Sequence, residues 1–95
     1  YEMTMFVTNR YHLPIYITEN GLTYTSDTVT QERAMVEFLS WLHQAITEGA
    51  DVRGYYWWTL MDNYEWNHGL NDNMRFGLYA VDPSDATKAR CSSDS

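Results

Sequence analysis

The chain has 95 residues, of which 44% are hydrophobic, 16% aromatic and only 20% charged, too apolar for a disordered tail and sized for one small domain or a piece of a larger one. Six Lys and Arg against thirteen Asp and Glu leave a net charge of −7, with no basic stripe to displace counterions, which argues against a nucleic-acid partner. No window reaches the ~18 consecutive apolar residues of a membrane span.

The first segment, Tyr1 to Tyr11, carries Met3, Phe6 and Val7 at helical spacing and reads as the last turns of a helix, broken at Leu13-Pro14 because proline disfavours helix in the residue before it. Ile15-Tyr16-Ile17-Thr18, between Pro14 and Asn20-Gly21, is predicted as a short buried strand. Thr28 to Gln31 matches a capping box. Beyond it Ala34, Met35, Phe38, Leu39, Leu42, Ala45 and Ile46 recur every three or four residues, which predicts a helix with one apolar face over about 30–48, closed by Gly49. The run Tyr55 to Met61 predicts a strand covered on both faces, as in a parallel sheet. Phe76 to Val81 predicts another short strand. All of these predicted elements fall within 1–82. The Ser- and Asp-rich stretch 83–95 predicts a poorly ordered tail.

Helix, strand, helix, strand is the order of βαβ units and of an α/β fold with a parallel sheet. One such unit leaves the aromatic faces of its own strands uncovered, so the chain either assembles with other polypeptide or is cut from a larger protein. No basic segment followed by an apolar run opens it, so no secretory leader is expected; the compartment stays open, with a lean to the cytoplasm.

Chemistry-bearing residues gather at two places. Glu19 stands at the end of the first predicted strand, where α/β barrels put catalytic carboxylates; equally, it is the first solvated residue of a loop. After the second strand comes Asp62-Asn63-Tyr64-Glu65-Trp66. Its carboxylates offer acceptors for sugar hydroxyls, and its rings offer faces for stacking on a pyranose. Trp58 points at the same mouth if it is not core, and adjacent Trp57 then faces away. His12, His43 and His68 are scattered, which argues against a metal site. The single cysteine, Cys91, cannot pair within the chain or build a zinc site alone.

Three ordered stretches resemble glycoside hydrolase family 1, the retaining β-glucosidase and β-galactosidase family. Leu13-Pro-Ile-Tyr-Ile-Thr-Glu-Asn-Gly21 is similar to its I-T/S-E-N-G signature. Gly54-Tyr-Tyr-Trp-Trp-Thr-Leu-Met-Asp-Asn-Tyr-Glu-Trp66 resembles the G-Y-x-x-W-S/T-L-x-D-N-x-E-W block, and Arg75-Phe-Gly-Leu-Tyr-Ala-Val-Asp82 the R-F-G-L-x-x-V-D block. The resemblance implies the C-terminal portion of a (β/α)8 TIM barrel, about strands 7–8 with the intervening helix. It implies O-glycosyl hydrolysis of terminal, unphosphorylated β-D-glycosides or oligosaccharides, with Glu19 as nucleophile. Trp58, Glu65, Trp66 and Phe76 take the substrate-binding positions, and no cofactor or metal is implied.

The family's acid/base glutamate lies in an N-E-P motif, which these 95 residues lack. The resemblance therefore implies a missing N-terminal part of the barrel and an isolated chain without activity. A non-catalytic carbohydrate-binding piece, or a chain that complements another barrel fragment, is the alternative. Thr30 replaces the usual Asp of a D-x-x-R pattern that keeps Arg33, and the stretch from Glu65 to Arg75 is longer than is common in the family.

Overall fold

A computed structural model describes residues 1–23, 30–69, 74–82, 84 and 90–92. Its elements are α1 (Glu2–Tyr11), β1 (Ile15–Asn20), α2 (Gln31–Thr47), β2 (Val52–Trp57), a single 3-10 turn (Trp66–His68), β3 (Tyr79–Val81) and β4 (Arg90–Ser92). β1 and β2 are hydrogen-bonded neighbours running parallel, and β3 pairs with β4 antiparallel. Arg90–Ser92 thus forms a strand within 83–95, the stretch for which composition predicts little order.

Helix α1 ends where His12 turns left-handed (φ 51°, ψ 41°) and donates its N–H to Thr8 O at 3.0 Å. Two residues later Pro14 bars any return to helix. α2 is the best-defined packing element. Its start is capped by Thr30, whose Oγ1 accepts the Arg33 N–H at 3.2 Å. Thr28, expected to open a capping box, lies outside the described residues. Gln31, its expected partner, is instead buried and donates its side-chain amide to Leu22 O at 3.2 Å.

The other end of α2 closes in a Schellman motif. Gly49 adopts φ 107°, the N–H of Gly49 reaches Ile46 O, and that of Ala50 reaches Ala45 O at 2.9 Å. Both orphan carbonyls are thereby satisfied, and only glycine takes that backbone conformation without strain.

The apolar stripe of α2 buries Ala34, Leu42 and Ala45 against the rest of the chain, and Phe38 meets the Trp57 ring at 6.2 Å between centroids. Leu39 and Ile46, expected on the same buried face, stay 41% and 45% exposed. Tyr16 and Tyr56, on the two strands, are 57% and 60% exposed. Ala50 completes the buried apolar residues, and among the described residues no large side chain is fully enclosed.

The second strand departs from the expected Tyr55–Met61. Pairing with β1, which matches Ile15 to Val52 and Asn20 to Trp57, sets its limits at Val52–Trp57. Local hydrophobicity does not mark Val52 and Arg53 because Arg53 is exposed, ion-paired to Asp51 at 2.9 Å. Beyond Trp57 the apolar run leaves β2 through a cis Trp58–Thr59 peptide and pairs elsewhere. Thr59 N–H donates to Phe76 O at 3.2 Å, Leu78 N–H to Thr59 O and Tyr79 N–H to Leu60 O, both at 2.9 Å. The third strand is correspondingly shorter than Phe76–Val81 and starts at Tyr79.

Candidate active site

The ends of β1 and β2, with the segment that follows β2, enclose a cleft of about 590 Å³, within the usual range for small-molecule sites. β1 supplies Glu19, Asn20 and then Gly21. Trp58 follows β2, and Asn63, Tyr64, Glu65, Trp66 and Phe76 complete the lining. All five residues singled out from the sequence, Glu19, Trp58, Glu65, Trp66 and Phe76, therefore share one cavity.

Each is placed by an identifiable local feature. Trp58 N–H donates to Asn20 O at 2.9 Å, which ties the two strand ends together. A Cβ on Gly21 would stand 1.9 Å from Trp58 O; the approach is possible only because glycine has none. Glu65 opens the 3-10 turn, its carbonyl accepting the N–H groups of His68 and Gly69 at 2.7 Å each. That tight turn leaves Trp66 84% exposed, with its ring available to a ligand. Phe76 is held from the backbone by Thr59.

Asp62 behaves differently from the sequence expectation, which grouped it with Glu65 at the mouth. Its side chain is 7% exposed and turned into the fold. Oδ1 accepts the Gly77 N–H at 2.9 Å, Oδ2 accepts the Val81 N–H at 3.2 Å, and Arg75 stands 3.6 Å away. A carboxylate so engaged is a clamp on the backbone around Phe76. It is not among the cleft residues.

The carboxylates of Glu19 and Glu65 have no hydrogen bond or ion pair with any described residue, and no Lys, Arg or His is among the described residues that line the cleft. A cavity lined by two carboxylates, two amides and aromatic rings suits a neutral polyhydroxyl ligand and disfavours an anionic one. Among the described residues no group of three or more His, Cys, Asp or Glu could hold a metal ion. One connection had no signal in the sequence: Tyr55, on β2, donates its hydroxyl to Asn20 Oδ1 at 2.7 Å.

A model of glycosyl hydrolase family 1 matches residues 1–95. The chain belongs to that family. Among its relatives is a β-galactosidase of Saccharolobus solfataricus, 50% identical over 74 residues, 78% of this chain and 14% of that protein. Beta-glucosidase 31 of Arabidopsis thaliana is 47% identical over 89 residues, covering 81% of this chain and 16% of the relative. In three dimensions the chain resembles the crystal structure of a hyperthermophilic β-glucosidase from Pyrococcus furiosus, with a TM-score of 0.85 and 42% identity over 98% of this chain and 19% of that one. This family 1 chain therefore spans about a sixth of the length of the curated relatives it matches. Its parallel β1–α2–β2 unit fits a portion of the (β/α)8 barrel of family 1 β-glucosidases.

Proposed function

We propose that this chain is the part of a retaining β-glycosidase that carries the nucleophile and the subsite for the terminal sugar, corresponding to barrel strands 7 and 8. The carrying observation is the single cleft that gathers Glu19, Glu65, Trp58, Trp66 and Phe76. In this mechanism an oxygen of Glu19 attacks the anomeric carbon as the glycosidic bond breaks, giving a covalent glycosyl ester. A second carboxylic acid ~5–5.5 Å away protonates the departing oxygen, then acts as base while water attacks the ester.

Glu65 is assigned to binding: its carboxylate accepts hydrogens from sugar hydroxyls, and Trp58, Trp66 and Phe76 supply flat apolar faces for the ring's C–H groups. The two carboxylates, with no cation among the described lining residues, favour an unphosphorylated sugar. The relatives' names point to a β-glucoside or β-galactoside.

The acid/base comes from elsewhere in the barrel. What supports an assembled state is the exposed aromatic surface of β1 and β2, Tyr16 and Tyr56 above all, which a soluble monomer would not leave open. On its own the chain is expected to hydrolyse little, since general acid catalysis contributes ~10²–10⁴-fold. A second reading, sugar binding without chemistry, is favoured by the 84% exposed Trp66 beside acceptor groups that need no acid/base to hold a sugar.

The test is to complete the barrel around the chain, treat it with a slow fluorinated glycoside and locate the adduct by mass spectrometry. Label on Glu19, and its loss in Glu19→Gln, is expected. An adduct on another residue refutes the assignment, and sugar binding with no adduct or turnover supports the second reading.

A further inference from the structure

Side chains of a strand alternate between its two faces. In β1, Ile17 lines a groove under α1 and α2 with Phe38 and Tyr55. Glu19, two residues on, belongs by strict alternation to that same helix-covered side. It lines the cleft and not that groove, and Asn20 lines both; the burial pattern agrees, with Ile17 and Asn20 half-buried and Thr18 and Glu19 both exposed. The inversion coincides with an irregular register: β1 advances three residues from Ile17 to Asn20 while β2 advances two, from Tyr55 to Trp57. An extra residue of this kind re-aims the side chains beside it, and such features concentrate next to active sites.

Two bonds converge on Asn20 at that point. Trp58 N–H secures its carbonyl at 2.9 Å, and the Tyr55 hydroxyl secures its Oδ1 at 2.7 Å. The first is a backbone ladder contact; the second depends on side-chain identity. Tyr55 pairs with Ile17 across the ladder and is half-buried, and burial pushes its phenol pKa up, so the hydroxyl stays a donor through neutral pH.

We propose that Tyr55 is a positioning residue for Glu19: by anchoring the Asn20 side chain on the helix side, its hydroxyl holds the extra residue of β1 that turns Glu19 into the cleft. This rests on the assignment of Glu19 as nucleophile. Tyr55 touches no reacting atom; it acts through Asn20.

The test uses the completed barrel with Tyr55→Phe, Asn20→Ala and the double variant, read by fluorinated-glycoside labelling rate, kcat and KM. Tyr55→Phe keeps the ring and its packing and removes only the donor. A nucleophile displaced by an ångström costs on the order of 10²-fold, so labelling and kcat are expected to fall by roughly 10- to 10²-fold while KM changes little. The double variant is expected to be no worse than the more impaired single one. A wild-type labelling rate in Tyr55→Phe, or losses that multiply in the double variant, overturns the proposal. So does a crystal structure of Tyr55→Phe with Glu19 unmoved, whatever the turnover. Label on another residue of the unsubstituted enzyme refutes the nucleophile assignment itself and this proposal with it, whereas an unchanged Tyr55→Phe rate with label on Glu19 refutes only the latter.

Discussion

Removing the Asp62 carboxylate, which does not itself line the cleft, should loosen the backbone around Phe76, which does. In Asp62→Ala the N–H groups of Gly77 and Val81 lose acceptors at 2.9 and 3.2 Å, and Arg75 loses a partner at 3.6 Å. Gly77 is buried, so its N–H has no ready access to water, whereas Val81 is only half-buried. Leaving a buried donor unpaired costs ~1–3 kcal/mol, and a bond to a charged acceptor contributes ~1.5–3 kcal/mol. With partial rehydration of Val81, the sum is about 2–4 kcal/mol. Asp62→Asn retains one acceptor oxygen and should lose about half as much. The assay is amide hydrogen exchange in the completed barrel, because it reports opening of this segment separately from global unfolding. Gly77 and Val81 should exchange on the order of 10²-fold faster in Asp62→Ala, at 1.36 kcal/mol per tenfold. Unchanged exchange at both amides, with the folded structure retained, would show that Asp62 does not clamp this segment.

Gly21→Ala forces a Cβ to 1.9 Å from Trp58 O; strand ends must separate, and sugar affinity measured by tryptophan fluorescence should weaken together with a fall in the urea midpoint. Thr30→Ala removes the acceptor for Arg33 N–H and should lower stability by ~1 kcal/mol, read from chemical denaturation. Gly49→Ala meets no neighbour within 4 Å but must adopt φ 107°, so a loss of ~1–2 kcal/mol is expected from backbone strain alone. Tyr55 makes a pH prediction. Burial raises its folded-state pKa above the ordinary 10.0, so its contribution is fully present below that value and is lost as pH rises through the folded one. Tyr55→Phe should therefore flatten the alkaline end of the stability profile; an unaltered slope above about pH 10 contradicts it.

Period and punctuation made α2 legible: the three- and four-residue spacing from Ala34 to Ile46 marks its face, and Gly49 marks its end. β1 was readable from β-branched residues between a proline and a glycine. β2 was not, because its limits depend on a partner distant in sequence, and its first residues include an exposed arginine. The run Tyr55–Met61 reads as one strand only if hydrophobicity and ladder pairing coincide; here the chain changes partners after Trp58, whose N–H still bonds to Asn20 O. At the site, resemblance to family motifs singled out five residues that the structure brings to one cleft, which periodicity could not have done. Asp62 shows the limit of residue type as a guide. Carboxylates three residues apart in one motif face opposite environments, Glu65 open to the cleft and Asp62 satisfied by backbone donors. The Tyr55–Asn20 bond was invisible for a related reason: an inserted residue breaks the alternation from which side-chain direction is inferred.

The two-stranded parallel sheet has a consequence for handling the protein. Among the described residues β1 has β2 as its sole strand neighbour, so its far flank presents amide and carbonyl groups in a row to any extended peptide that drifts past. A second molecule can dock there strand to strand, and a third on that one, with Tyr16 and Tyr56 reinforcing the stack. Concentration, more than temperature, should then decide how long the lone polypeptide stays in solution.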